Sequence, residues 1–357
     1  MTSKDHCVNI AIMTIQSRCS NPSLEMVKRI ILSQQRLFDE VFLEDAPEIQ
    51  AILNQIIRGK PQHKSIKLYQ YLLECFLFAG GGDQSNYSYY AKQRVKPTFN
   101  RVKRALQAAQ CPKLATFETF AGCGYQKTNP SCREPVFFGN CPVPTFDMKR
   151  GTLNQMAFSL YFFLRDAAGG DFYTEVREHF GEGRLTEGKI DNLLQAFIQK
   201  VTRIANVGPK LAHMAMSTLF LTLYPGWDYR RVGLHMIAVD SLVHNFLHRT
   251  GILGFYQLDH AYGPRCHTEK GCLGVIQDLA GRIDCREFNP TLPSNFPRLI
   301  QYHIWAFCAK RGENICNLNK CKPGKPNPGC VLRQQRLCPR LPPQKPAKEL
   351  TDPFLFP

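Results

Sequence analysis

Between Ile190 and Ile204, the residues Ile190, Leu193, Leu194, Phe197, Ile198, Val201 and Ile204 fall at offsets 0, 3, 4, 7, 8, 11 and 14. A 3.6-residue period puts them all on one face, so the stretch must be a helix buried along one side. The stripe ends in "ANVGPK", a tight corner. Pro209 suits the first turn of a following helix, where its missing N–H breaks no bond. Asn206 is one of the few non-glycine types that tolerate positive φ, and Gly208 leaves the backbone open to close approach. The freed N–H groups at the start of the second helix, with its dipole, then form an anion site. Few stretches alternate with period 2, so the spacing predicts a mainly α fold.

Other segments agree. Leu24, Val27, Ile31, Leu37, Phe38 and Val41 follow a rough helical period, and further helices are expected over "PEIQAILNQII" and "SIKLYQYLLECFLFA". Tyr87, Tyr89 and Tyr90 precede Lys92, Arg94, Lys96, Arg101, Lys103 and Arg104, a mixture suited either to phosphate contact with base stacking or to a solvated helix face. Composition then divides the chain into a helical region 1–110, a Cys/Pro-rich insert 111–150, a helix–hairpin–helix region 151–255, a C-terminal helical region 256–340 and an extended tail 341–357.

Lys and Arg number 45 against 29 Asp and Glu, a net charge of +16. Excess cation on that scale favours a polyanionic partner, with DNA as the expectation. No apolar run is long enough to span a bilayer, and the first residues lack a secretory apolar core. Fifteen cysteines is an odd number. Reduced, metal-ligating cysteines in a cytoplasmic, nucleoid-associated protein fit better than a secreted disulfide scaffold.

Downstream, "MIAVDSLVHNFLHRTGIL" carries an apolar triplet into Asp240, placed to cap a helix N-terminus. Taken alone, Asp240 reads equally as a structural cap. Together, "VGPKLA" and "AVDSLV" resemble the helix–hairpin–helix DNA glycosylases of the endonuclease III superfamily. The resemblance covers roughly residues 151–340 and implies a two-lobed helical fold, preceded here by an extra helical N-terminal region. It places the Schiff-base lysine at Lys210, the catalytic aspartate at Asp240, and DNA backbone contacts at Asn206, Val207, Gly208 and Pro209. A carboxylate stabilises positive charge on the sugar as the glycosidic bond breaks. A lysine attacks C1′ and forms an imine, which permits strand cleavage. The implied activity is that of a DNA glycosylase with AP-lyase chemistry, acting on a modified base. The rival readings are a non-catalytic DNA-binding protein with the same parts and a metal-stapled scaffold for a repair or defence complex.

Several members of that superfamily end in a four-cysteine loop holding a [4Fe–4S] cluster. "GENIC" matches the approach to that loop and makes Cys316, Cys321, Cys330 and Cys338 the implied ligands, with Cys308 left inside the preceding helix as a small hydrophobe. Four thiolates also suit zinc, and ligand type alone does not separate the two metals. Lys320 and Lys322 decorate the loop and are expected to touch the DNA backbone. Two further groups, Cys111, Cys123, Cys132 and Cys141, and the weaker set Cys266, Cys272 and Cys285, read either as metal sites or as scattered core cysteines.

Overall fold

A computed structural model describes residues 21–34, 56, 61–77, 97–123, 131–132, 139–146, 152–181, 185–223, 227–310, 312–316, 321, 327–335 and 337–339. The described residues are mainly helical, and their only strands are a two-residue antiparallel ladder pairing Ser131 with Asn140 and Cys132 with Gly139. Contacts divide the chain into two units, residues 44–236 and residues 1–43 with 237–357.

In the first unit the helices are α2 (Pro61–Leu77), α3 (Phe99–Ala108), α4 (Phe117–Ala121), α5 (Thr152–Phe162), α6 (Phe172–Phe180), α7 (Glu187–Thr202), α8 (Pro209–Leu223) and α9 (Trp227–His235). The expected stripe is the buried side of α7: Ile190, Leu194, Phe197, Ile198 and Val201 are buried, Leu193 is half-buried at its edge, and Ile204 lies just beyond the helix end, also buried. Phe197 stacks at an angle on Phe180 and Phe220, with ring centroids 5.4 and 5.6 Å away. α8 packs against α9, α7 and α2. Its approach to α9 is close because Ser217 and Gly233 are small: a Cβ on Gly233 would lie 3.1 Å from the Ser217 carbonyl oxygen, and the Ser217 hydroxyl donates to the Gly233 carbonyl. Tyr71 on α2 donates to the Ala215 carbonyl on α8, fixing the angle between those helices.

The second unit holds α1 (Pro22–Ser33), α10 (Ser241–Arg249), α11 (Ile252–Phe255), α12 (Cys272–Arg282), α13 (Pro297–Cys308) and α14 (Val331–Gln334). α13 is buried at every residue except Trp305, which makes it the central helix, with α10, α12 and α1 around it. Phe246 meets Phe307 edge-on at 6.2 Å. α1 buries Met26, Val27, Ile30 and Ile31, and Gln34 just after it accepts from His303 Nδ1 at 3.0 Å.

This division differs from the one suggested by composition. α1 joins the C-terminal helices, because its apolar face is covered by α13, α12 and α14. Leu114, Phe117, Phe120, Val143 and Phe146 of the supposed insert lie in the core of residues 44–236. Of the expected helices, "PEIQAILNQII" apart from Ile56 lies outside the described residues, as do the Tyr87–Lys96 stretch and residues 37–41.

Candidate metal centres and hairpin corner

The corner between α7 and α8 has the conformation its residue types require. Asn206 has φ 63°, the left-handed region that asparagine enters more readily than most side chains. The turn is held by the Ala205 N–H, which donates to Ser159 Oγ at 3.0 Å, and by the Val207 N–H, which donates to the Ile204 carbonyl at 3.0 Å. Pro209 is the first residue of α8, and the Gly208 carbonyl accepts from the Ala212 N–H, closing its first turn. Asn206, Gly208 and Pro209 are exposed, Lys210 is half-buried, and Val207 is buried. A Cβ at Gly208 would meet nothing within 4 Å. Nearby cations have carboxylate partners: Lys200 pairs with Glu175 and Arg203 with Glu118.

Asp240 is the N-cap of α10. Its Oδ1 accepts from the Leu242 and Val243 N–H groups at 3.0 and 2.9 Å, and the side chain is buried. Lys210 belongs to the unit of residues 44–236 and Asp240 to the other.

Cys316, Cys321, Cys330 and Cys338 line one cavity together with Arg249, Leu332 and Arg333. Local structure explains how they meet. After α13 ends at Cys308, Gly312 and the left-handed Asn314 (φ 56°) turn the chain back. The Ile315 and Cys316 N–H groups then both donate to the Phe307 carbonyl. Gly312 allows this close return, since a Cβ there would lie 2.1 Å from the Ala306 carbonyl oxygen. Arg249 at the end of α10 ties the segment down: its guanidinium contacts Cys316 Sγ and donates to the Cys321 carbonyl, and its own carbonyl faces Cys338 Sγ. Hydrogen bonding from Cys308 holds the Cys316 thiol below its ordinary range, against the opposing effect of burial, and Arg249 adds to the lowering. Burial pushes Cys308 and Cys330 up. Cys308 is therefore buried at the end of its helix, as expected, but it is also a partner of Cys316. Lys320 and Lys322 lie outside the described residues.

A second centre combines residues that spacing alone did not group. His244 on α10, His260, Cys266 and Cys272 are all buried, and their ligand atoms lie within 4.8 Å of one another. Among the described residues this is the one set of three or more His, Cys, Asp or Glu side chains that converges closely enough to hold a metal ion. His244 Nδ1 lies 3.3 Å from Cys272 Sγ and 3.4 Å from Cys266 Sγ. His260 Nε2 lies 3.4 Å from Cys266 Sγ and 3.6 Å from Cys272 Sγ. The other His260 nitrogen, Nδ1, faces the Leu258 carbonyl at 2.6 Å. Hydrogen bonding from Cys272 holds the Cys266 thiol well below its ordinary range, while the same contact and burial push Cys272 up. Gly271, directly before Cys272, is required by packing: a Cβ there would lie 1.8 Å from the Arg265 carbonyl oxygen.

Cys285, which the sequence groups with Cys266 and Cys272, is not part of this set. It is buried with its thiol directed to the Ile283 carbonyl, and burial pushes it up to about 12. Cys111, Cys123 and Cys141 are half-buried and pack against the core of residues 44–236. With Cys132 they form no convergent ligand group among the described residues.

Comparison with family models, with curated proteins and with solved structures finds no match to this chain. The chain's own residues therefore carry the functional reading. Among the described residues no helix is long and apolar enough to cross a membrane.

Proposed function

We propose that this chain is an iron–sulfur, helix–hairpin–helix DNA-binding protein that excises a modified base, with Asp240 and Lys210 as its catalytic residues. The observation that supports the reading is the cavity lined by Cys316, Cys321, Cys330 and Cys338, four cysteines that begin in the "GENIC" segment resembling the approach to the glycosylase superfamily's [4Fe–4S] loop. Four thiols lining one cavity offer the all-sulfur donor set that a [4Fe–4S] cluster takes, and zinc is the alternative occupant. Arg249 beside Cys316 offsets thiolate charge. A bound cluster cross-links the segment 316–338 and adds a charged centre to it.

In this reading the exposed corner at Asn206, Gly208 and Pro209 takes a DNA phosphate on the open start of α8. The target nucleotide leaves the stack before reaction. The Asp240 carboxylate stabilises charge developing on the sugar. The Lys210 amine attacks C1′, the bond to the base breaks, and the resulting imine activates the strand for β-elimination.

One observation favours a second reading. Asp240 Oδ1 already serves two backbone N–H groups as a helix cap, a sufficient structural reason for that residue. A non-catalytic iron–sulfur DNA-binding protein would keep everything else. Incubation with duplexes carrying single modified bases, scored for base release and borohydride trapping, separates the two. The enzyme reading expects a trapped adduct that Lys210→Gln removes, and base release that Asp240→Asn abolishes while binding persists. Salt-sensitive binding with neither release nor adduct establishes the second reading. Absence of duplex binding leaves the metal-stapled scaffold.

A further inference from the structure

We propose that His244, His260, Cys266 and Cys272 hold a structural zinc ion, distinct from the Cys316–Cys338 centre, and that this ion fixes the helix on which Asp240 is the cap. The donor set is two imidazoles and two thiols, which suits tetrahedral zinc. Zinc–sulfur and zinc–nitrogen bonds of about 2.3 and 2.0–2.1 Å at tetrahedral angles put ligand N and S atoms about 3.5 Å apart. The four nitrogen–sulfur separations here are 3.3, 3.4, 3.4 and 3.6 Å. The geometry is that of ligands arranged around one ion.

The surroundings support this independently. His260 Nδ1 donates to the Leu258 carbonyl, so the proton is on Nδ1 and the Nε2 lone pair points at the two sulfurs. The Gly263 N–H donates to Cys266 Sγ at 3.5 Å, a contact that stabilises a thiolate. All four side chains are buried, with exposures of 0 to 9 %. Four protein donors and no approach from solvent make the site a closed staple rather than a place for substrate.

Its position gives the staple a role. His244 follows Asp240 by one turn, so an ion there holds the start of α10 to the loop of residues 258–272 and the start of α12. The opposite end of α10 is held by Arg249 at the second centre. Residues 256–271 contain no regular element except the short turn Pro264–His267, and their only buried side chains are His260 and Cys266, so apolar packing contributes little to ordering them. The zinc assignment does not depend on DNA binding or catalysis, and its outcome is independent of theirs.

The test begins with metal analysis of the full chain, purified without chelator. One zinc per chain is expected, retained in Cys316→Ser and lost in both His260→Ala and Cys272→Ser. The ligand variants could fail to fold, so the wild-type chain is also reconstituted with cobalt. Tetrahedral ligand-field bands with thiolate charge transfer are expected, and Cys272→His should alter that spectrum while keeping the metal. Amide exchange on zinc removal should rise at least tenfold across residues 241–249 and 258–282 but stay unchanged in α7 and α8. Zinc content indifferent to His260→Ala, an octahedral cobalt spectrum, or a Cys266–Cys272 disulfide in the native protein would overturn the site. Unchanged exchange in α10 would overturn its role in fixing the helix.

Discussion

The two sulfur-bearing centres of the C-terminal unit are built on different principles. At His244, His260, Cys266 and Cys272 the ligand atoms face one another across one buried point, and a backbone carbonyl orients one ring. At Cys316, Cys321, Cys330 and Cys338 the thiols line a cavity, and Arg249 contacts the segment at three of the four cysteines. The first set draws two of its ligands from a loop that has little apolar core of its own. The second is appended to α13, a helix already buried at nearly every residue. A metal at the first centre therefore contributes directly to folding, whereas one at the second is carried by a structure that other contacts maintain.

Loss of a ligand should expose this difference most strongly. Structural zinc binding is worth on the order of 10 kcal/mol in small domains, comparable with the whole stability of a domain. Cys272→Ser should therefore unfold the C-terminal unit or leave it insoluble. Cys316→Ser should bleach the protein and remove its iron while the far-ultraviolet circular dichroism stays close to wild type. If both variants unfold alike, the comparison fails and the second centre is structural as well.

Acid provides a smaller and more graded test. His303 on α13 is buried and stands outside the convergent His/Cys set; its Nδ1 donates to Gln34, and burial lowers its pKa to about 4. The unfolded chain binds this proton near pH 6.5 and the folded chain only near pH 4, so stability falls as pH drops through that window. The maximum loss is about 3 kcal/mol. His303→Gln keeps a donor for Gln34 and should flatten this part of the pH–stability curve in denaturant titrations of the metal-loaded protein. Acid lability that persists unchanged in His303→Gln belongs instead to protonation of the metal ligands.

What could be read in the sequence follows the range of the interactions concerned. The α7 stripe, the Asn206 corner, the Pro209 start of α8 and the Asp240 cap are local, and the residue types at those positions specify them. The four C-terminal cysteines were legible by number and position, because they fall within one short segment. The His244 centre was not. Its ligands come from a helix, a loop and the start of another helix, and grouping cysteines alone joined Cys266 and Cys272 to the unrelated Cys285. The usable signal was the run His260, Cys266, Cys272, with five residues in each gap and Gly263 and Gly271 beside the sulfurs. For α1, the apolar stripe showed that a face is buried. It carried no information on which distant helices cover it, because that is set by the tertiary fold.

The smallest expected effect lies at Cys308, between the two ways of using a cysteine. It is fully buried, and its thiol is a hydrogen-bond partner of Cys316 rather than a member of the cavity lining. Cys308→Ala removes one sulfur from a packed site, a change worth about 1 kcal/mol. It also removes the donor that favours the Cys316 thiolate, so any bound cluster should remain with its full iron content but at a shifted reduction potential. Redox titration of the anaerobically purified variant beside wild type checks both parts. Full iron with an altered potential makes Cys308 a supporting donor. Loss of iron equal to that in Cys316→Ser would instead make Cys308 a ligand and require a different set of four.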